Sequence, residues 1–428
     1  MVNAMDAIHP KMSASTILQT AVWNARQAAD RLNLNEDIAR QLLEPAEQIQ
    51  LRVHPVMPDG RMLHARVFVV RHNDILGPAK GGIRMTAAVT LDEVAGLSME
   101  MTWKTSLIGV PFGGGKVGIC CDPSQLNSVE KETLIRSFTR GVRRHIGPEI
   151  YVPAPDMGTN ERDMGHIRDC ISYSGGTSIT TGCFVTGKPV VLGGIIGRRE
   201  ATGNGVVATI AAACDRLNRR VSDLRVAVQG FGNVGSVAAC AISNLGACVV
   251  AVSDITGGTF CADGLDLPRL AEHVKATGGV KGFEGGQDVS LDAVLEAECD
   301  VLIPAAGGSA ITEENAPRIR ANIIAEGANA PLTPRADAVL NARGAFIIPD
   351  ILCNAGGVFV SYLEYTQETQ RDQMTRDEVE KRLGDRMTTT FEQVYERAHR
   401  TRETMRHAAM DIAVSRVVDG IVARGFLP

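Results

Sequence analysis

With 428 residues, 44% of them hydrophobic and 22% charged, the chain has the composition of a folded globular protein long enough for two domains, each with its own core. A formal net charge of −5 gives no electrostatic footprint for nucleic acid or for an anionic membrane, so neither partner is expected. Aromatic residues are only 4% while glycine reaches 44 copies, which favours an α/β protein rich in tight turns over an aromatic-rich sandwich.

Residues 1–20 lack the apolar core of a signal segment, and no stretch approaches a membrane span, so the expected compartment is the cytoplasm. Residues 1–15 carry no functional signal and read as a mobile terminus. The ten cysteines are scattered, without a CxxC pair or a Cys/His group at ligand spacing; buried thiols in a reducing compartment are expected, and no metal.

Apolar positions recur at three and four over residues 15–51, which predicts two helices. Residues 62–70 read as a strand entered from the turn Pro58-Asp59-Gly60. A glycine-rich loop is expected at Gly77-Pro78-Ala79-Lys80-Gly81-Gly82-Ile83-Arg84. Thr90-Leu91-Asp92-Glu93 is a capping box opening a helix to about Ile108, closed by Gly109 with Pro111 beyond. A second glycine-rich loop is expected at Pro111-Phe112-Gly113-Gly114-Gly115-Lys116-Val117-Gly118, and Pro153-Ala154-Pro155-Asp156 ends a short strand. Residues 186–205, again rich in glycine, mark the domain boundary.

Beyond the boundary lies a complete dinucleotide-binding unit. The apolar strand Arg225-Val226-Ala227-Val228-Gln229 runs into Gly230-Phe231-Gly232-Asn233-Val234-Gly235, which opens a helix; a second strand then ends at Asp254, 19 positions past Gly235. Gly230 allows the tight turn, Gly232 lets the pyrophosphate approach, and Gly235 lets helix and strand pack closely. The phosphates fall on unpaired amides at the helix start, while Asp254 can accept from both ribose hydroxyls and repels a 2′-phosphate. NAD is therefore favoured, with NADP possible if a nearby cation offsets the carboxylate. Later strands are expected at residues 301–304, 323–325 and 346–349, with helices from about Asn354 and again over 376–424.

Three lysines sit among glycines or on the capped helix: Lys80 in Ala79-Lys80-Gly81-Gly82, Lys104 in Met101-Thr102-Trp103-Lys104, and Lys116 in Gly115-Lys116-Val117. Ammonium groups gathered in one cleft attract a dicarboxylate and depress the pKa of the least well paired lysine, which can then polarise a carbonyl or activate water. Asp156 is the natural proton-transfer partner.

Taken in order, Lys80 to Arg84, Met101 to Lys104, Gly113 to Gly118, Pro153 to Asp156, Glu200-Ala201-Thr202-Gly203, Glu326-Gly327-Ala328-Asn329, Pro349 to Val358 and Ser361-Tyr362-Leu363-Glu364 resemble the glutamate branch of the Glu/Leu/Phe/Val dehydrogenase family. The resemblance covers nearly everything from about residue 40. It implies an N-terminal mixed-sheet substrate and oligomerisation domain over residues 1–190, completed by C-terminal helices at about 366–428. A Rossmann dinucleotide domain over 191–365 follows from the same resemblance, as does assembly as a homohexamer. The implied activity is oxidative deamination of L-glutamate to 2-oxoglutarate and ammonia, and its reverse, by hydride transfer to a nicotinamide dinucleotide.

Residue by residue, Lys104 resembles the lysine that holds the α-carboxylate, Lys116 the catalytic lysine and Asp156 the acid/base. Lys80 and Ser361 resemble the pair gripping the side-chain carboxylate, beside Gly81 and Gly82; both positions are typically apolar in branched-chain and aromatic relatives. A buried carboxylate without a cationic partner is too costly to bind, so keeping both points to glutamate. Thr202, Asn233, Asn329 and Asn354 resemble residues around the ribose, the nicotinamide or the substrate amino group. Departures are Val117 where relatives usually have glycine, Ile195-Ile196 for a more polar pair, Ala306-Gly307-Gly308-Ser309 for bulkier side chains, and Leu363 and Tyr365 for a more usual Phe and Trp. Two alternatives stand: a dehydrogenase for another amino acid, or a catalytically silent paralogue serving as a regulatory subunit.

Overall fold

The computed structural model describes residues 17–174 and 184–425, so the N-terminal segment 1–15 lies outside the described residues. The first sheet is built from β1 (Glu47–Val53), β2 (Ala65–Asn73), β3 (Ala79–Thr86), β4 (Gly113–Cys120) and β5 (Tyr151–Pro155), in the order β1-β2-β4-β3-β5. The pairs β1–β2 and β2–β4 are antiparallel; β3 runs parallel to both β4 and β5. Two prolines fit β5 because it is an edge strand, where missing N–H donors leave no ladder bond unmade.

Three sequence expectations change here. Residues 47–53 form a strand, since Glu-Gln-Ile-Gln-Leu-Arg-Val alternates in exposure with period two; the helices before it are Ile17–Arg31 and Glu36–Leu43. Both glycine-rich loops are central strands. Their glycines mark close backbone approach: a Cβ at Gly114 would lie 2.1 Å from Thr102 Oγ1 on the overlying helix Leu91–Ile108. That helix is capped by Thr90, which accepts from the Glu93 amide, but Glu93 does not reach back; its carboxylate goes to Arg84.

The second sheet comprises β6 (Arg225–Gln229), β7 (Cys248–Asp254), β8 (Gly257–Phe260), β9 (Gln287–Val289), β10 (Val301–Pro304), β11 (Ile323–Ala325) and β12 (Phe346–Ile348). Its order is β12-β11-β10-β6-β7-β8-β9, parallel from β12 to β7 with an antiparallel edge of β8 and β9. Strand order reverses between β6 and β10, so the turns leaving their carboxyl ends frame a crevice.

The expected long C-terminal helix is two, Arg376–Thr401 and Met405–Arg424, because Arg402 adopts φ 57° and Thr404 caps a new start. The last helix turns back to the first sheet's helix: Ser106 Oγ donates to Ala413 O at 2.7 Å, and Arg416 donates to the carbonyls of Ser106 and Leu107. No helix among the described residues is long and apolar enough to cross a membrane.

Candidate active site

β3, β4 and β5 deliver the charged groups, and the helix Leu91–Ile108 roofs them. Lys80, Lys104 and Lys116 are 1%, 6% and 5% exposed, so none is a solvated surface lysine. Lys116 forms a direct ion pair with Asp156, whose same oxygen lies 3.4 Å from Arg84 Nε. Arg84 is held in turn by Glu93 at 2.6 Å. Gly82 makes this possible: a Cβ there would lie 2.6 Å from the Cβ of Asp156. Lys80 sits two residues earlier on the same strand, which puts it on the face that Gly82 presents to Asp156.

Lys104 reaches across to the turn after β11. Its Nζ donates to Asn329 Oδ1 at 2.8 Å, and the Asn354 amide donates to that oxygen at 3.2 Å and to Ala328 O at 3.0 Å. The Oδ1 atom of Asn354 is buried and has no hydrogen-bond partner among the described residues, leaving an acceptor for an ammonium or amine. Ser361, on the helix Gly356–Gln370, accepts from Arg198 Nε at 2.8 Å and donates to Gly357 O.

Burial lowers the pKa of both Lys104 and Lys116; for Lys116 the Asp156 carboxylate pulls the other way, and Arg84 adds to the depression. Burial alone would raise Asp156, but the positive charges of Lys116 and Arg84 hold its carboxyl well below the usual carboxylate range. The pair is thus a carboxylate that stays ionised beside an amine whose charged form burial disfavours.

Arg198 was not singled out by the sequence reading. Burial lowers its pKa, no carboxylate lies within ion-pair distance of it among the described residues, and its one side-chain bond is to Ser361. A half-buried guanidinium without an ion-pair partner among the described residues can receive an anion. The available signal was its place beside a glycine in the boundary segment, Gly197-Arg198.

At the second sheet, Gly230 has φ 96° and packs so that a Cβ would lie 2.8 Å from Ala306 Cα, while a Cβ at Gly235 would strike Gly230 O. Gly232 is exposed, and a Cβ there meets nothing within 4 Å, which is the open space a pyrophosphate needs over the start of helix Gly235–Asn244. Phe231 is buried, Asn233 exposed and Val234 half-buried. Thr202 opens the helix Ala201–Arg216, close enough to Gly357 that a Cβ there would lie 2.5 Å from its hydroxyl. The residues fit a bound dinucleotide. Asp254, however, is already engaged: one oxygen accepts from Thr256 N and Oγ1, and the other from Val280 N at 2.9 Å.

Residues 45–173 match the family model for the Glu/Leu/Phe/Val dehydrogenase dimerisation domain, and residues 193–425 match that for Glutamate/Leucine/Phenylalanine/Valine dehydrogenase. The chain is 39% identical over 420 residues to an NADP-specific glutamate dehydrogenase of Saccharolobus shibatae, covering 97% of this chain and 99% of the relative. To an NAD-specific glutamate dehydrogenase of Staphylococcus aureus it is 38% identical over 402 residues, covering 94% and 96%. The hetero-hexameric glutamate dehydrogenase of Thermus thermophilus, in its leucine-bound form, superposes with a TM-score of 0.92 at 32% identity, over 96% of this chain and 98% of that one.

Proposed function

The chain belongs to the Glutamate/Leucine/Phenylalanine/Valine dehydrogenase family, and within it we propose that the protein interconverts L-glutamate with 2-oxoglutarate and ammonia. The observation that carries this reading is the burial of three cations, Lys80, Lys104 and Lys116, on the strands and helix that frame Asp156, with the half-buried Arg198 bonded to Ser361. A site so charged is costly to keep and becomes favourable when a doubly negative ligand enters.

Lys80, Arg198 and Ser361 hold the side-chain carboxylate, beside Gly81 and Gly82, and Lys104 holds the α-carboxylate. Clamping both ends fixes Cα, and such positioning can supply roughly 7–11 kcal/mol at best. Gly230 to Gly235, Asp254, Thr202 and Asn329 hold the dinucleotide, which when bound supplies the hydride acceptor. Asp156 takes a proton from the substrate ammonium, with Asn354 Oδ1 orienting the nitrogen. Lys116, whose proton burial makes easier to give up, removes in its neutral form a proton from the water that attacks the resulting imine carbon, and ammonia then leaves.

The relatives include both NAD- and NADP-specific enzymes; Asp254 supports NAD here, because its carboxylate opposes a 2′-phosphate. Assembly as a homohexamer in the cytoplasm completes the reading. Mixing 2-oxo acids with ammonia and either NADH or NADPH, followed by absorbance, tests it. Turnover should require 2-oxoglutarate and run faster with NADH; preference for an apolar oxo acid, or no turnover at all, would sink it.

A further inference from the structure

Behind Lys104 lies a second, largely buried charged cluster. Glu100 is four residues before Lys104 on the same helix and only 5% exposed. Facing it are Asp350 at the start of the short helix Asp350–Cys353, Glu326 just after β11 and Arg406 on the C-terminal helix. Arg406 is already committed to three carboxylates: it contacts Glu326 directly, Asp337 at 2.8 Å and Asp350 at 3.5 Å. Glu326 and Asp350 also accept backbone donors, Glu326 from the Asp350 amide at 2.7 Å and Asp350 from Ala330 and Ile351.

Glu100 has none of this. No hydrogen bond or ion pair reaches its carboxyl among the described residues; of the two cations whose charge acts on it, Arg406 is committed to other carboxylates and the stronger influence is Lys104, the group assigned above to the substrate α-carboxylate. The remaining charged groups on elements packed against this helix are occupied elsewhere. Arg31 is paired with Asp411, Lys116 with Asp156, and Arg416 and Arg386 with the helix's last carbonyls. His72, between Thr102 and Leu42 O, is held neutral by burial.

An ionised Glu100 and a bound substrate carboxylate would therefore compete for one ammonium in a largely desolvated site. We propose that Glu100 is a positioning residue for Lys104 that must carry a proton when the substrate binds, so that binding of the dicarboxylate draws a proton into the cluster; this rests on the assignment of Lys104 given above. Burial, reinforced by Asp350 and opposed by Lys104, pushes the Glu100 carboxyl up to about 8, so the exchange falls within the working range of pH.

The probe is 2-oxoglutarate added to the enzyme with reduced dinucleotide and no ammonia, so that it binds without turnover. Its affinity should fall roughly tenfold per pH unit above about pH 8 in the wild type and stay level in Glu100→Gln, which keeps the shape and removes the titration. Calorimetry in two buffers of different ionisation enthalpy should show uptake rising from about half a proton near pH 8 to about one proton a pH unit or more higher in the wild type, and none in the variant. Identical pH profiles in the two proteins overturn the proposal. Lys104→Ala separates the two levels of inference. If it binds 2-oxoglutarate as tightly as the wild type, the assignment of Lys104 fails; if it loses affinity while Glu100→Gln keeps the wild-type profile, only the role of Glu100 fails. Should Glu100→Gln not fold, absence of proton uptake by the wild type is decisive against it.

Discussion

Lys116 and Asp156 share one environment that lowers both pKa values: desolvation disfavours the charged amine, and the neighbouring cations favour the ionised carboxylate. Lys116→Ala should lower kcat by roughly 100-fold or more while leaving dinucleotide affinity unchanged, the size usual for loss of an acid/base group. Stopped-flow turnover together with fluorescence titration of the reduced dinucleotide separates the two effects, and a variant retaining wild-type turnover would remove Lys116 from the mechanism. At this scale much was legible in the sequence. A lysine beside a glycine reads as a ligand group because the missing side chain leaves room beside its ammonium, and both such lysines, Lys80 and Lys116, prove to be buried, as does Lys104 on the capped helix. Arg198 was not legible, because an arginine between a glycine and another arginine reads as a surface residue; only the fold sets it beside Ser361, with no ion-pair partner among the described residues. The engagement of Asp254 by Thr256 and Val280 was equally hidden, since Val280 is 26 positions away along the chain.

Among elements, the strands β3 and β4 teach most. Glycine runs suggest loops by propensity, yet here they let two central strands slide beneath a helix and bring Asp156 against Lys116. Tertiary contact overrides local preference. Gly82→Ala should push Asp156 away from Lys116, because the new Cβ would lie 3.0 Å from Pro155 O as well as against Asp156. The expected outcome is a fall in kcat with dinucleotide affinity retained; an unaffected kcat would show that this contact is dispensable. The Leu91–Ile108 helix was read correctly at both ends because Thr90 and Gly109 are strong terminators, the latter in the left-handed region at φ 71°. Thr90→Ala should cost about 1 kcal/mol by denaturant unfolding, since one backbone donor loses its cap. The break at Arg402 escaped notice: a non-glycine residue in the left-handed region leaves no mark in a periodic helical pattern.

Across the whole molecule, the C-terminal helix ties the enclosed carboxylates to the substrate cleft through Arg406. Burial raises Glu326 to about 7, against the charge of Arg406, and Glu100 to about 8. Both values exceed those of the unfolded chain, so over that span the native state holds protons that the unfolded state has released, and stability falls as pH rises. Asp156 acts in the opposite sense, but its contribution is complete once pH exceeds the ordinary carboxylate value and is lost only in acid. Above about pH 6.5, where the opposite contribution of neutral His72 is complete, thermal unfolding up to about pH 9 should therefore show a declining midpoint, shallower in Glu100→Gln. A flat profile would mean these carboxyls are solvated.

The claim on which the rest depends is that the buried cations exist to receive the second carboxylate of the substrate. Replacing Lys80 with leucine and measuring kcat/KM for 2-oxoglutarate against 4-methyl-2-oxopentanoate tests it directly. The expected result is a loss of at least roughly 100-fold toward 2-oxoglutarate, the scale of leaving a charged group buried without its partner, with a relative gain toward the branched substrate. An unchanged ratio between the two substrates would contradict the assignment.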